Sequence, residues 1–229
     1  MANALYDALF APHAGRTDPF LILPDGAEVS YTGFLGMAGR FAHAITDAGL
    51  AAGDRLAAQV EKSPEALALY AACVQAGVIF LPLNTGYTRD ELRYFVENSG
   101  AKLLVCDPAR EGELRAMAEG QGAAILTLGA DGSGTLAEAA KGQSGTFETV
   151  SRNSDDLAAF LYTSGTTGRS KGAMLTQGNL LSNAQTLVEF WRFSADDVLL
   201  HALPIFHTHG LFVATNVCLA AGASMIFLP

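Results

Sequence analysis

A segment rich in glycine and hydroxyl side chains lies between two apolar runs in the second half of the sequence. It extends from Tyr162 to Gly172, with the apolar runs Leu157 to Leu161 and Ala173 to Leu175 on either side. Glycines let backbone N–H groups converge on an anion, and hydroxyl groups and a lysine such as Lys171 complement its charge. The segment therefore predicts a polyphosphate-binding loop. A flexible surface turn would explain the glycines, but not the hydroxyls and the cation.

Two better-known phosphate-binding patterns do not fit. The pattern G-x-x-x-x-G-K-[ST] needs a glycine where this chain has Ser170, and a hydroxyl where it has Gly172. A G-x-G-x-x-[GA] pattern does occur from Gly132 to Ala137 after a predicted strand. Gly142 interrupts the helix after it, and the following segment is too polar for a second strand, so we interpret it as a chance occurrence.

Three histidines lie close together near the C-terminal end: His201, His207 and His209. A two-residue spacing could place two imidazoles on one side of an extended segment, as in a metal site, but no further ligand cluster lies nearby. A buried or capping role and a contact with substrate are the other interpretations.

A serine hydrolase has no support, because the sequence has no G-x-S-x-G pattern.

The elements that would position these residues alternate between strands and helices. A turn at Pro24 to Ala27 predicts an N-terminal hairpin, and a helix with its apolar residues between Phe34 and Ala48 follows. From Arg55 onward, strands alternate with helices that begin at capping residues such as Ser63 and Thr88. This order predicts an α/β fold with mainly parallel sheets covered by helices. Residues 129–155 are poor in large apolar side chains and are predicted to form an exposed excursion.

Composition excludes several classes of protein. The 229 residues are 50% hydrophobic and carry a net charge of −9, which argues against a surface that binds nucleic acid or anionic lipid. Three scattered cysteines and an acidic residue near the N-terminus favour a cytoplasmic protein. Two apolar runs, 66–83 and 211–228, contain glycine or proline breaks and lack basic flanks, so each predicts a buried helix followed by a strand and not a membrane span.

The segment 162–172 resembles the phosphate loop of the adenylate-forming superfamily, which includes acyl-CoA synthetases, luciferases and the adenylation domains of peptide synthetases. The resemblance extends through 61–65, 82–85, 155–157 and the sequence His201 to Gly210. Within the superfamily, residues 84–88, the loop form at 167–172 and the segment 206–212 are most similar to the malonyl-CoA synthetases. Phe206 departs mildly, because relatives often have tyrosine there.

The resemblance implies an ATP-dependent acid:CoA ligase. Such enzymes transfer AMP to malonate or methylmalonate, release pyrophosphate, and then transfer the acyl group to CoA, with Mg²⁺ on the phosphates. It implies catalytic roles for His207, Lys171 and Thr166, with His207 beside the acid; Arg169 is expected to be a solvated charge. The implied phosphate-binding residues are Thr163, Ser164, Gly165, Thr166, Thr167, Gly168 and Lys171.

The resemblance also implies how the chain is organised. We expect residues 50–190 to form a complete α/β unit, and residues 1–49 and 191–229 to form parts of a second, unfinished sheet. The apolar end at Met225 to Pro229 adds the expectation that the chain is the N-terminal portion of a longer enzyme and is inactive alone. An adenylation enzyme for another acid, or a non-catalytic nucleotide-binding fragment, are the alternatives.

Overall fold

The structure is a computed structural model that describes residues 3–163 and 170–229. Within these ranges, the strands form one six-stranded sheet and one four-stranded sheet. Helices cover the larger sheet on both faces and also lie between the two sheets. The predicted α/β class, with mainly parallel strands, is confirmed.

The larger sheet has the strand order β6-β5-β3-β4-β7-β8. Its strands pair in parallel except for β7 and β8, which form an antiparallel hairpin. Because β3, β4, β5 and β7 run in the same direction, their carboxyl ends meet at one edge, where ligands bind in open α/β sheets. The bounds are β3 (Arg55–Gln59), β4 (Ile79–Pro82), β5 (Leu103–Cys106), β6 (Ala124–Thr127), β7 (Leu157–Thr163) and β8 (Lys171–Thr176).

The smaller sheet joins the N-terminal hairpin to the last strands of the chain. Its order is β2-β1-β10-β9, and β10 pairs in parallel with both of its neighbours. The hairpin that the turn at 24–27 predicts is present. The bounds are β1 (Pro19–Ile22), β2 (Glu28–Ser30), β9 (Val198–His201) and β10 (Ser224–Phe227). The expected division into residues 1–49, 50–190 and 191–229 stays a prediction.

Eight α-helices are found in the described residues. They are α1 (Ala4–Leu9), α2 (Tyr31–Asp47), α3 (Pro64–Ala76), α4 (Arg89–Ser99), α5 (Glu111–Gly120), α6 (Thr135–Ala140), α7 (Gln177–Trp191) and α8 (Asn216–Ala221). Short 3₁₀ turns occupy Ala11–His13 and Pro108–Arg110, and a π-helix occupies His209–Thr215. Helix α3 is buried on every face from Ala66 to Ala76, because it lies in the core between the two sheets.

The capping residues that the sequence indicates do begin their helices. Ser63 Oγ accepts a hydrogen bond from Ala66 N at 3.0 Å at the start of α3. Thr88 and Glu91 form a capping box at the start of α4, and these hydrogen bonds lower the pKa of the Glu91 carboxyl. The starts of these two helices could therefore be predicted from their capping residues, because the hydrogen bonds involved are local.

The segment 129–155 is less exposed than its composition predicts. Leu136 and Ala140 of α6 are buried against the core, so the prediction of an exposed excursion is wrong for that helix. Residues 144–150 then cross α2 and α3 in an irregular course. Small residues allow this segment to pack closely against the helices. Its lack of large apolar side chains therefore did not indicate that it is exposed.

The two long apolar runs divide as predicted into helix and strand. The first contains α3 and β4, and the second contains the π-helix, α8 and β10. In the described part of the chain, none of the helices has both the length and the apolar character that a membrane crossing requires.

Candidate functional site

The β7–β8 hairpin holds both ends of the glycine-rich segment. Thr163 is the last residue of β7, and Lys171, the first residue of β8, is its partner in the antiparallel register. Thr163 Oγ1 lies 3.4 Å from the Lys171 carbonyl oxygen. The six residues Ser164, Gly165, Thr166, Thr167, Gly168 and Arg169 lie outside the described residues. The two described ends are thus adjacent at the carboxyl edge of the larger sheet, where the sequence predicts an anion site.

Aromatic side chains of α4 anchor this hairpin. The Tyr94 hydroxyl donates to the Ser170 carbonyl at 2.8 Å, and the Tyr162 hydroxyl donates to Asn98 Oδ1 at 2.7 Å. The rings of Phe95 and Tyr162 lie 4.5 Å apart. Burial raises the pKa of the Tyr162 hydroxyl to about 12, so it remains a donor at neutral pH. These supports were not predicted from the sequence; the four-residue spacing of Tyr94 and Asn98 on one helix face was the available signal.

His207 lies beside the same hairpin. It lines a small cavity of about 30 Å³ together with Asn84 and Tyr87, which follow β4, and with Tyr162 of β7. Its imidazole is exposed and its ring centroid is 4.6 Å from that of Phe206. The structure therefore brings His207 next to the residue that precedes Thr163, although the two are more than 40 positions apart in the sequence.

The segment that carries His207 turns sharply between β9 and the π-helix. A Cβ atom at Gly210 would lie 2.2 Å from the Pro204 carbonyl oxygen, so only glycine fits this close approach. His209 is the first residue of the π-helix that follows His207. π-Helical turns are rare in proteins, and those that do occur are often found at functional sites.

His201 is a structural residue. It is buried, and its Nε2 donates to the Gly210 carbonyl at 2.8 Å, which also accepts from Thr215 Oγ1 at 3.0 Å. Burial lowers the pKa of the imidazole, so the neutral form predominates at neutral pH. No group of three His, Cys, Asp or Glu residues within 3–163 and 170–229 could hold a metal ion. The buried role was one of the interpretations that the sequence left open.

Lys62 joins this region to the larger sheet. Its ammonium group donates to the His201 carbonyl at 2.7 Å and lies 4.5 Å from the centroid of the Phe227 ring. Burial lowers the pKa of Lys62 to about 8. The loop after β3 is thereby fastened to β9 and β10, which lead into the segment containing His207.

Comparison with known proteins gives one family. The family described as AMP-binding enzyme matches residues 11–229. The oxalate–CoA ligase of Arabidopsis thaliana is 32% identical over 79% of this chain and 36% of its own length. The mitochondrial malonate–CoA ligase of Bos taurus is 34% identical over 71% of this chain and 27% of its own length.

Solved structures give the same result. The ATP-bound MatB of Rhodopseudomonas palustris matches with a TM-score of 0.95 and 54% identity, over 100% of this chain and 45% of that one. The chain thus spans less than half of each of these relatives. The same α/β architecture, including both sheets, is present in that structure.

Proposed function

The chain belongs to the AMP-binding enzyme family, and on that premise we propose that it supplies the phosphate-binding part of an AMP-forming acid:CoA ligase whose acid is malonate or a similar short dicarboxylate. The observation that carries the proposal is the pairing of Thr163 with Lys171 at the carboxyl edge of the sheet, beside His207. Three buried, free cysteines support a cytoplasmic location.

The first role is to hold the phosphates of ATP. Displacement at the α-phosphorus by a carboxylate, with pyrophosphate as the leaving group, needs positioning and charge neutralisation more than covalent chemistry. The Lys171 ammonium supplies positive charge, and Thr163 and the hydroxyl residues up to Ser170 supply hydrogen-bond donors. Tyr94 and Tyr162 hold the two ends of the loop against α4, which reduces the reorganisation that phosphate binding requires.

The second role is to orient the acid. An exposed imidazole at His207 can donate a hydrogen bond to a carboxylate that approaches the hairpin, and Asn84 of the same cavity wall offers an amide. His207 acts by orientation, since a carboxylate nucleophile has no proton to remove. The adenylate that forms is then attacked by the CoA thiol, which displaces AMP.

Mg²⁺ accompanies ATP in this chemistry. Within residues 3–163 and 170–229, no group of three His, Cys, Asp or Glu side chains could hold a metal ion by itself, so Mg²⁺ is expected to enter with the phosphates of ATP. We therefore assign no catalytic step to a protein-bound metal in this chain.

The proposal is tested by malonate-dependent exchange of labelled pyrophosphate into ATP, measured on the encoded protein that contains this chain. Replacement of both anion-binding groups in Thr166→Val/Lys171→Ala is expected to lower the exchange rate by roughly 100-fold or more, as loss of transition-state hydrogen bonds does elsewhere. Lys141→Ala, at an exposed lysine that directly follows α6, is the control and is expected to retain the wild-type rate. Unchanged exchange in the double variant would show that the phosphate assignment is wrong.

Substitutions at two nearby histidines distinguish a role in binding the acid from a role in maintaining the fold. His207→Asn is expected to raise the KM for malonate by about 10-fold, because the shorter amide does not reach the position of the far imidazole nitrogen and a hydrogen bond to a charged group is lost. His209→Asn is the matched control, since His209 is exposed and does not line the cavity. Acetate, methylmalonate and succinate tested beside malonate identify the acid; preference for a monocarboxylic acid would contradict the proposed substrate.

A further inference from the structure

The turn that forms one wall of the cavity beside His207 is held by side chains from other elements. It consists of residues 84–87 and follows β4, and Tyr87 N donates to the Asn84 carbonyl at 3.1 Å. Asn84 and Tyr87 both line the cavity. Productive contact with a ligand depends on the position of such a wall to a fraction of an ångström, so the groups that hold its backbone bear on acid binding.

Gln59 contacts three backbone carbonyl groups of this turn. Its Nε2 donates to the Asn84 carbonyl at 2.9 Å and to the Tyr87 carbonyl at 3.0 Å, and a longer contact of 3.3 Å joins it to the Thr85 carbonyl. Gln59 is the last residue of β3, which pairs with β4 on one side and β5 on the other, and the residue is only 2% exposed. The donor therefore has a fixed place in the interior of the larger sheet.

Arg110 determines how the Gln59 amide is oriented. It ends the short 3₁₀ turn that follows β5, and its Nη1 donates to Gln59 Oε1 and also to the Tyr87 carbonyl, at 3.1 Å from the latter. Because a guanidinium group can only donate, the end of the amide next to Arg110 must be the oxygen. The Nε2 group is thereby left for the turn, and the two side chains form one network around the Tyr87 carbonyl.

This network occupies acceptor groups that would otherwise disfavour an anion. A carbonyl oxygen carries partial negative charge, and without a donor it would repel a carboxylate bound beside His207. Asn84 Oδ1 is occupied as well, because it accepts from Gly86 N at 2.8 Å, which leaves Nδ2 as the end of the amide that can donate to an anion. The suitability of this wall for a carboxylate thus depends on Gln59 and Arg110, which do not line the cavity themselves.

We propose that Gln59 and Arg110 are positioning residues for the acid: they hold the turn 84–87 at the end of β3 and keep its carbonyl groups engaged and unavailable to the bound carboxylate. This inference rests on the proposed function, because it concerns the acid site of the ligase. Substitution of either residue is expected to weaken binding of the acid and to leave both ATP binding and the rate at saturating acid nearly unchanged.

The test compares two buried glutamines by malonate-dependent pyrophosphate exchange, measured on the encoded protein that contains this chain. Gln59→Met keeps the length of the side chain and removes its donors. It is expected to raise the KM for malonate by about 10-fold, with the KM for ATP and kcat within about 2-fold of wild type. Gln75→Met is the matched control, since Gln75 is 5% exposed and its Nε2 donates to the Phe147 carbonyl at 2.9 Å, outside the turn. A KM for malonate that is equal in wild type and Gln59→Met would overturn the proposal.

A second substitution serves if Gln59→Met does not fold. Arg110→Met removes a donor to the Tyr87 carbonyl at a side chain that is 24% exposed, and it is expected to raise the KM for malonate by about 5-fold. Arg115→Met, at an exposed arginine of α5, is its control and is expected to retain the wild-type KM. Arg110→Met with the wild-type KM for malonate would contradict the positioning role.

Hydrogen exchange of the backbone amides of 84–88 measures the position of the turn without reference to activity. In the encoded protein, Gln59→Met is expected to increase the exchange rate of these amides by about 10-fold, and Gln75→Met is expected to leave it unchanged. A wild-type rate in Gln59→Met would show that Gln59 does not hold the turn, and a faster rate with an unchanged KM for malonate would show that the turn does not affect the acid. Either result overturns the inference alone, whereas a wild-type protein without malonate-dependent pyrophosphate exchange contradicts the proposed function itself.

Discussion

At the scale of single residues, the side chain of Lys62 lies in an environment unlike that of a surface lysine. It is half-buried between the two sheets, and in the described part of the chain it contacts a carbonyl oxygen and a ring face, with no carboxylate in an ion pair. Burial therefore lowers its pKa to about 8 from an ordinary value of 10.5. The charged form is disfavoured in the folded state, which links stability to pH.

The sign of this linkage gives a prediction for Lys62→Met. Below pH 8 the lysine is charged in both states, and its burial penalty is fully present. Between pH 8 and 10.5 the unfolded state holds more protons than the folded state, so the wild-type chain gains stability relative to the variant as pH rises. Urea unfolding of both proteins from pH 7 to 10 measures this difference.

Other groups that titrate in this range cancel in the comparison. Burial raises the pKa of Tyr162 and of the Cys106 and Cys218 thiols to about 12, and these groups are common to both proteins. Lys141→Met, at an exposed lysine, reports the effect of removing a surface charge. A stability difference between wild type and Lys62→Met that stays constant from pH 7 to 10 would contradict the prediction.

At the scale of elements, local signals predicted most of the helices and strands, but α6 lies in a segment that was predicted to be exposed, and the long-range contacts could not be predicted. Ser63 and Thr88 begin their helices, and Gly77 and Gly100 end them in the left-handed conformation, all from interactions within a few residues. The support of the β7–β8 hairpin by Tyr94 and the burial of α6 depend on partners distant in the sequence, and a local pattern does not show which partners they are. The proximity of His207 to β7 came from the family resemblance and not from periodicity.

The crossing of 144–150 over α2 makes Gly39 sensitive to substitution. A Cβ there would collide with the Gly145 carbonyl oxygen, which is backbone and cannot rotate away. We expect Gly39→Ala to destabilise the chain by about 1–3 kcal/mol, although alanine favours helices. Urea unfolding measures the change in free energy.

Gly36 is the matched control on the same helix. A Cβ at Gly36 would meet only the flexible end of Arg40, at 3.7 Å. Gly36→Ala is therefore expected to stabilise the chain by up to about 1 kcal/mol, from helix propensity. Equal effects of the two substitutions would show that the close approach at Gly39 is absent in solution.

At the scale of the whole molecule, one core connects the two sheets. Tyr70 of α3 packs against Phe80 of the larger sheet and against Phe212 of the π-helix, with ring centroids 5.7 Å and 5.6 Å away. Its hydroxyl donates to Asn216 Oδ1 at 3.2 Å. The β7–β8 hairpin belongs to the larger sheet, and His207 follows β9 of the smaller sheet. This shared core, together with Lys62, therefore fixes the distance between the proposed phosphate and acid sites.

The smaller sheet is covered on one face and exposed on the other. Along β9, Leu199 packs towards the core, whereas Val198 and Leu200 are 54% and 62% exposed. Ile226 of β10 is also exposed. Because β9 is an edge strand, it offers both an apolar face and unpaired backbone groups, a combination that favours association with another chain. We predict that the 229-residue chain self-associates through this face.

Neighbouring leucines of β9 test this prediction, because successive side chains of a strand point to opposite faces. Leu200→Lys is expected to reduce self-association in sedimentation equilibrium and to change stability by no more than about 0.5 kcal/mol, as for a surface site. Leu199→Lys places a charge against the core and is expected to destabilise the chain by several kcal/mol. If Leu200→Lys destabilises the monomer as much as Leu199→Lys does, the outer face is covered within the chain itself, and self-association has another origin.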